Sequence, residues 1–581
     1  MDRQAWIAVT LCVIAFFALQ VYNAKHLPPP APPAAVSPAP VAVPGDQPTA
    51  TAGQAPPASA APAASPVASV PPFAEKSETL RNDDVELFLT NRGGGIREAR
   101  LLRHVEAKGK SEIVLNSPES LPIGAIVEQP AAPALPEFTM ARQPDGSVQM
   151  ERAIPQGLSI RKRFFFPPTK ETKDNYASEM QIDFRNDGPQ PYSAPGYFIA
   201  LGSTRPTHPN DIPAYTRLVW SVNGESKGVD VGWFEGSGGF LGFGQHAARP
   251  SYQEKVAADW AAMSNQFFTT ILTPLNAKVG EVWGKRIEVK RGDAPGVAGI
   301  EGAMALPGFE LQPGQTNTLR VQLYTGPKLY RRLAALQHDE AEIMNFSAFS
   351  LLKLVSQALL NFMNLLHSWV GDYGFAIILL TACVKGVLWP LQNKANRSMR
   401  RMSLLAPKMQ ELKEKHKDDP TRMNQEVMKL YKEHGVNPVG GCLPMLIQIP
   451  VFFGLFNMLG QVAELRNASF LWVKDLSQPD TIAEIPGLGW DINILPILMG
   501  ATNVWLMQMT PKTGDAMQRR VLMFMPLIFL IFCYNFAAAL ALYYTTQNLF
   551  TILQLWHNQK QPMPVLEKVA PAGKKSRKGR S

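Results

Sequence analysis

The chain has 581 residues, enough for two or more domains, and a formal net charge of +9. Its four cysteines, Cys12, Cys383, Cys442 and Cys533, each sit in or beside a hydrophobic segment and none falls in the large polar region, which excludes a disulfide framework and a CxxC metal or redox centre. No P-loop, HExxH or GxSxG motif occurs, so those phosphate, zinc and acyl-transfer chemistries are excluded, and neither a cofactor nor a metal is expected.

The first apolar run, residues 5–22, is long enough to cross a bilayer core. It follows Arg3, but its exit at 22–26 lacks the small-x-small pattern of a cleaved signal. Residues 1–24 therefore read as an uncleaved anchor with a cytoplasmic N-terminus. Residues 25–75 are dominated by Pro, Ala, Val, Ser and Gly, which build no core and form a semi-extended tether.

Period-two segments then take over. Val85, Leu87 and Leu89 alternate with polar residues before Gly93-Gly94-Gly95; Met180, Ile182 and Phe184 precede the turn Asn186-Asp187-Gly188. Ile160, Lys162, Phe164 and Phe166 share one face, as do Leu319, Val321 and Leu323 before Gly326-Pro327. Segments of this kind punctuated by Gly and Pro predict a large antiparallel β-sandwich over 76–335.

Beyond that point the chain reads as a helical polytopic membrane protein. Residues 336–371 contain an apolar stretch broken by Lys353, Gln357, Asn361, Asn364 and His367, with Leu351, Leu354, Ala358 and Phe362 at helical spacing. This pattern predicts an amphipathic helix lying in the membrane interface. Spans are predicted at about 373–391, within a segment 372–391, and at 443–463, 492–508, 521–536 and 539–556, within a segment 438–556. With the anchor this makes six. Basic residues crowd the segment 392–437 (Lys394, Arg397, Arg400, Arg401 and Lys408 among them), the loop 509–520 and the tail 557–581, whereas the loop 464–491 carries Glu464, Asp475, Asp480, Glu484 and Asp491. The positive-inside rule then places both termini in the cytoplasm and the β domain outside.

Lys385 lies within the second span, a few residues to the cytoplasmic side of its midpoint. An ammonium at that depth costs on the order of 3 kcal/mol, and its usual compensation is a carboxylate. The predicted spans contain no Asp or Glu. Lys385 must therefore lose its proton, snorkel past Trp389 to the interface, or face a water-filled cavity. The cavity explains more. Thr381 sits one turn away on the same face, and Gln448, Asn457, Asn503, Gln508, Tyr543, Tyr544, Thr545, Thr546 and Gln547 dot the other spans. A hydrated recess with a lone positive charge would receive the polar flanks of a chain that cannot leave them in lipid.

Residues 392–437 read as a helical hairpin broken near Asp418-Asp419-Pro420. Met399, Met402, Leu405, Met409 and Leu412 stripe one arm; Met423, Val427, Leu430 and Tyr431 stripe the other. The two stripes either pack on each other or offer a deformable, basic surface to hydrophobic chains, ribosomal RNA or targeting factors.

The block 437–450, Asn-Pro-Val-Gly-Gly-Cys-Leu-Pro-Met-Leu-Ile-Gln-Ile-Pro, resembles the YidC/Oxa/Alb insertase family, supported by 385–391 (Lys-Gly-Val-Leu-Trp-Pro-Leu), 495–500 (Leu-Pro-Ile-Leu-Met-Gly) and Leu542-Tyr543-Tyr544 with Asn548. The likeness covers about 343–556, and the anchor, tether and external β domain look like the family's Gram-negative form. It implies a non-enzymatic insertase or chaperone of the bacterial inner membrane, with a periplasmic domain of supersandwich type. The family's groove arginine falls on Lys385, which keeps the charge without the guanidinium's fixed fork. The resemblance further implies that Thr381 and Tyr544 lie near the entering chain, and that Gln448, Ile449, Pro450 and Phe452 line a surface along which clients slide. Implied partners are nascent membrane proteins, the lipid bilayer, the Sec translocon, and the ribosome with targeting factors through hairpin and tail.

Two other readings compete. A secondary transporter would show paired intramembrane charges and repeated halves with broken helices, and neither is visible. An anchored carbohydrate-active enzyme would recruit His104, His208 or His246 as acid or base, although lone histidines in β domains more often serve structure.

Overall fold

The computed structural model describes residues 74–106, 111–168, 175–236, 246–291, 294–344, 350–416, 419–436, 443–486, 490–510, 527 and 529–562. The anchor at 5–22, nearly all of the tether, the loop 511–520, residues 521–526 and 528 of the expected span 521–536, the tail from 563, and Cys12, Cys442 and Asp418 lie outside the described residues.

The alternating segments form strands whose pairings are antiparallel. Four of them (Ser77–Arg81, Val85–Thr90, Gly95–Val105, Glu112–Leu115) make a sheet in chain order. A nine-stranded sheet runs from Glu225–Asp230 at one edge through Trp260–Ser264, Phe268–Pro274 and Thr316–Pro327 to Thr139–Arg142 at the other. A five-stranded sheet that includes Val279–Arg291, Ala294–Ala305 and Phe198–Thr204 packs against it. Because side chains alternate between faces, the residues that marked the sequence pattern turn inward together: Val85, Leu87, Leu89, Met180, Ile182, Phe184, Val321 and Leu323 are all buried.

Lys162 follows the same alternation and is carried into the core between Ile160 and Phe164. Its amine donates to the carbonyls of Gly94 and Gly124, the latter at 2.5 Å, with the rings of Phe138 and Phe164 5.4 and 5.6 Å away. Burial pushes its pKa down to about 7. A neutral amine has two N–H groups, which matches two carbonyls and leaves none orphaned.

Among the described residues six helices of at least fourteen residues follow: α1 Ser350–Val370, α2 Tyr373–Lys415, α3 Pro420–Glu433, α4 Leu443–Leu459, α5 Ile494–Met509 and α6 Ala538–Gln559. The turn between α1 and α2 needs Gly371, whose φ of 73° lets its N–H reach back to His367 O at 2.8 Å. Asp372 then caps α2 by accepting from Phe375 N at 2.9 Å. Phe470 packs so close to Gly374 that a Cβ there would lie 2.2 Å from its ring. In α1, Ser356, Leu359, Leu360, Met363 and Leu366 turn inward, while Leu351, Leu354 and Trp369 are exposed; an apolar face turned outward suits a helix lying against lipid. Ser356 Oγ locks α1 onto α4 by donating to Gly454 O at 3.0 Å.

Among the described residues one helix, 373–412 within α2, is long and apolar enough to cross a membrane unaided. Helices α4 and α5 have 17 and 16 residues, roughly 25 Å at 1.5 Å per residue, short of a ~30 Å hydrocarbon core. The expected six spans are thus visible in part. Helix α2 also runs on through Pro390 and Pro407, so the second span and the first hairpin arm are one rod of 43 residues.

The segment 460–480 joins the β domain to the helices. Gln266 Nε2 donates to Gly460 O at 2.8 Å, and Gln478 Nε2 to Asp211 Oδ1 at 3.2 Å. Arg466, buried over Phe267 and Phe268, donates to Thr207 Oγ1 at 3.1 Å. On its other side the segment caps α6, with Ala538 N donating to Gln478 O at 2.8 Å and Ala539 N to Leu476 O at 2.9 Å. Asp480 Oδ2 accepts from Leu495 N at 2.7 Å at the start of α5. Lys328, buried beside Tyr215 and Gln461, is pushed down to about 7 by burial and then by the neighbouring Arg217.

The depressed Lys162 pKa fixes the sign of a pH effect. Between pH 7 and 10.5 the unfolded chain binds a proton that the folded one does not, so this residue's contribution to stability rises with pH across that window. Denaturation of wild type and Lys162→Met at pH 7.5 and 9.5 should show wild type gaining on Met by on the order of 1 kcal/mol per pH unit. Parallel pH profiles would contradict it.

Candidate functional site

Lys385 emerges from α2 toward α6 rather than along its own helix. It is 6% exposed, and its amine donates to Thr551 Oγ1 at 3.0 Å. No ion pair engages it among the described residues; its partner is a neutral hydroxyl. The route past Trp389 to the interface is not the one it takes. Thr381 lies one turn earlier on α2, 1% exposed, and gives its proton to Ile377 O at 2.7 Å. It lines the same face without bonding the lysine.

Helix α6 supplies a polar ladder. Tyr543, Gln547, Thr551, Gln554 and Asn558 recur at helical spacing along one face of the helix. Gln448 of α4 donates through Nε2 to Gln547 Oε1 at 2.9 Å and to the Tyr543 hydroxyl at 3.2 Å, and the Tyr543 hydroxyl donates to Gln547 Oε1. Lower down, Gln554 Nε2 reaches Asn393 Oδ1 at 2.8 Å and Trp389 O at 3.2 Å, while Asn558 Nδ2 reaches Asn393 Oδ1 at 3.0 Å. Arg400 Nη1 closes the row on Asn558 O at 2.7 Å. Lys385 and Gln448, distant in sequence, are thereby gathered around one helix.

Sequence reasoning singled out Gln547 but missed Thr551, Gln554, Asn558 and Asn393. The signal was present: Gln547, Thr551, Gln554 and Asn558 stand at i, i+4, i+7 and i+11, a polar stripe that runs through the last expected span and just past its end.

On the other side of the ladder the surface turns apolar and aromatic. Tyr544 packs against Phe529 and Phe452, with ring centroids 4.8 and 5.7 Å away. Ile449 is 38% exposed, and Pro450 and Phe452 are half-buried beside it. In the hairpin, Asp419 caps α3 by accepting from Arg422 N at 3.0 Å. Met402, Met409 and Met423 are half-buried, and the Tyr431 hydroxyl of α3 approaches Met409 Sδ at 2.7 Å. The arms do pack on each other there, while Met428 stays 45% exposed.

The three histidines are spent locally. His104 is half-buried against Phe268 with Nε2 3.2 Å from the Tyr176 hydroxyl, and desolvation lowers its pKa to about 4. His208 Nδ1 accepts from Asn210 N at 3.1 Å, and His246 Nδ1 lies 3.1 Å from the next carbonyl. Among the described residues no acidic, His or Cys cluster could hold a metal ion, and Cys383 and Cys533 are unpaired.

A large antiparallel domain tied to apolar helices that enclose a solitary cation defines a membrane protein with an extramembrane β domain. Two family models match it: one for the YidC periplasmic domain over residues 78–355, and one for the 60Kd inner membrane protein over 365–564. Relatives called membrane protein insertase YidC occur in Nitrosospira multiformis (30% identical over 82% of this chain and 80% of the relative) and Syntrophus aciditrophicus (29% over 97% and 100%). A third, from Nitratidesulfovibrio vulgaris, is 37% identical, but the match spans 54% of its length and 52% of this chain. The chain belongs to the YidC family of inner-membrane proteins, and its β domain is the family's periplasmic domain.

The shared acceptor at Asn393 gives a prediction. Asn393→Leu strips the buried Asn558 Nδ2 of its acceptor and leaves Gln554 Nε2 only Trp389 O, at ~1–3 kcal/mol for the unsatisfied group. Thermal unfolding of the detergent-solubilised variant should show a lower Tm than wild type; an unchanged Tm would mean the clamp contributes nothing.

Proposed function

We propose that this chain is a non-enzymatic membrane protein insertase and chaperone, in which the recess around Lys385 receives the polar flank of an entering hydrophobic segment from the cytoplasmic side. One observation carries the reading: the buried amine is met by a single neutral acceptor and by no carboxylate among the described residues. A charge-assisted hydrogen bond contributes ~1.5–3 kcal/mol, comparable to the ~3 kcal/mol cost of the charge at that depth. An ammonium has three N–H groups, so two remain for a guest carboxylate or carbonyl. The name carried by relatives across most of their length agrees with this activity.

Thr381, Gln448 and Tyr544 form the recess wall in this scheme. Ile449, Pro450 and Phe452 give the guest's apolar stretch a surface on which to slide before it leaves sideways into lipid. The exposure of Ile449 and the aromatic packing of Phe452 support that assignment. The basic, Met-bearing hairpin, with Met402, Met409, Asp418 and Met423, and the basic tail would meet the ribosome and targeting factors, and the Sec translocon would act as a partner for larger clients. In this arrangement all six spans are present, both termini are cytoplasmic, and the segments 1–24, 25–75, 76–335, 336–371, 372–391, 392–437, 438–556 and 557–581 serve as anchor, tether, periplasmic domain, interfacial helix, second span, hairpin, remaining spans and tail.

Lys385→Glu should impair insertion of single-span clients with acidic outer tails, whereas Lys385→Arg is tolerated. Protease protection of the client tail reads the effect, and equal insertion by all three proteins would remove the charge from the mechanism. A photo-crosslinker at Ile449 or Pro450 should capture a stalled nascent chain; repeated failure at both positions would discard the sliding surface.

A further inference from the structure

We propose that Thr551 is the positioning residue for the groove charge: it holds the Lys385 amine inside the recess and keeps it from swinging to the cytoplasmic interface. The inference rests on the insertase reading and deepens it.

Thr551 meets the amine at 3.0 Å and gives its own proton to Gln547 O at 2.8 Å, one turn earlier on α6. With that proton committed, the oxygen turned to Lys385 is a pure acceptor, which suits an ammonium that can only donate. Threonine is also branched at Cβ, so few rotamers are open to it on a helix. Helix α6 in turn is fixed against α2 by Gln554 and Asn558 on Asn393, and against α4 by Gln448 on Gln547. Acceptor and helix rotation are therefore both set before a guest arrives, which is preorganisation of the charge.

A lysine stem is flexible, and an amine that loses its acceptor turns toward water at the interface. There it would serve a guest's carboxylate poorly. Valine at 551 keeps the shape and removes the acceptor; serine keeps the acceptor.

The test compares insertion of a single-span client with an acidic outer tail by wild type, Thr551→Val, Thr551→Ala, Thr551→Ser, Lys385→Gln, and Lys385→Gln combined with Thr551→Val, at matched membrane levels. Val and Ala should each lower insertion roughly ten- to hundredfold, the scale of one charge-assisted hydrogen bond. Ser should stay within about twofold. In the Lys385→Gln background, Thr551→Val should add no further loss, because there is no longer a charge to position. Wild-type insertion by both Val and Ala, with Lys385→Gln impaired, would overturn the positioning role and leave the charge-based reading standing. An equal further loss in the Gln background would show that Thr551 acts only through helix packing and would overturn it as well. Wild-type insertion by Lys385→Gln would overturn both.

Discussion

A positive charge buried among membrane helices with a hydroxyl as its partner is the constraint on which the rest of the helical region depends. Lys385 cannot be left in hydrocarbon, and no acidic partner among the described residues neutralises it. The surrounding structure responds by turning polar. Helix α6 carries amides and hydroxyls along one face, and α2 and α4 present matching groups to it. Each of these side chains would be unfavourable in lipid alone; together they satisfy one another around the lysine. A transporter would balance such a charge with an opposite one, whereas an unbalanced charge suits transient guests that bring the counter-charge themselves.

The same row of bonds ties the surroundings of Lys385 to what lies at either end of α6. At the end away from the β domain, α2 continues without interruption past Lys385, and Asn393 and Arg400 fasten it to the end of α6. Toward the periplasm, the segment 460–480 caps the start of α6 and binds the β domain through Arg466, Gln266 and Gln478. Helix α6 is thus held at both ends, by the β domain's joint at its start and by α2 at its finish.

Much of this was legible in the chain. Strict alternation placed Met180, Ile182 and Phe184 in a sheet core, and even Lys162, a residue hydrophobicity alone would expose, was assigned the correct face because the period of two overrides residue type. Lys385 stood out because an ionisable residue in a span has few bland explanations. What the sequence could not disclose was which group answers it. Thr551 is 166 positions away, and a threonine in a helix is too common to signal a contact. The continuity of α2 through Pro390, from the span into the hairpin arm, was also hidden, because a proline locally argues for a break and packing decides otherwise. The loop 464–491 read only as acidic, and 460–463 as the end of a span; the role of 460–480 as a joint arises from Asp211, Thr207 and Gln266, which are remote in sequence.

The central claim is that this chain alone supplies a route by which a polar flank enters the bilayer. Purified protein reconstituted into liposomes without any translocon, and challenged with a short two-span client, tests it most directly. Insertion well above that into empty liposomes, weakening as the client's acidic residues are replaced by their amides, is the predicted result. Insertion no better than into empty liposomes, or indifferent to the client's charge, would contradict the account.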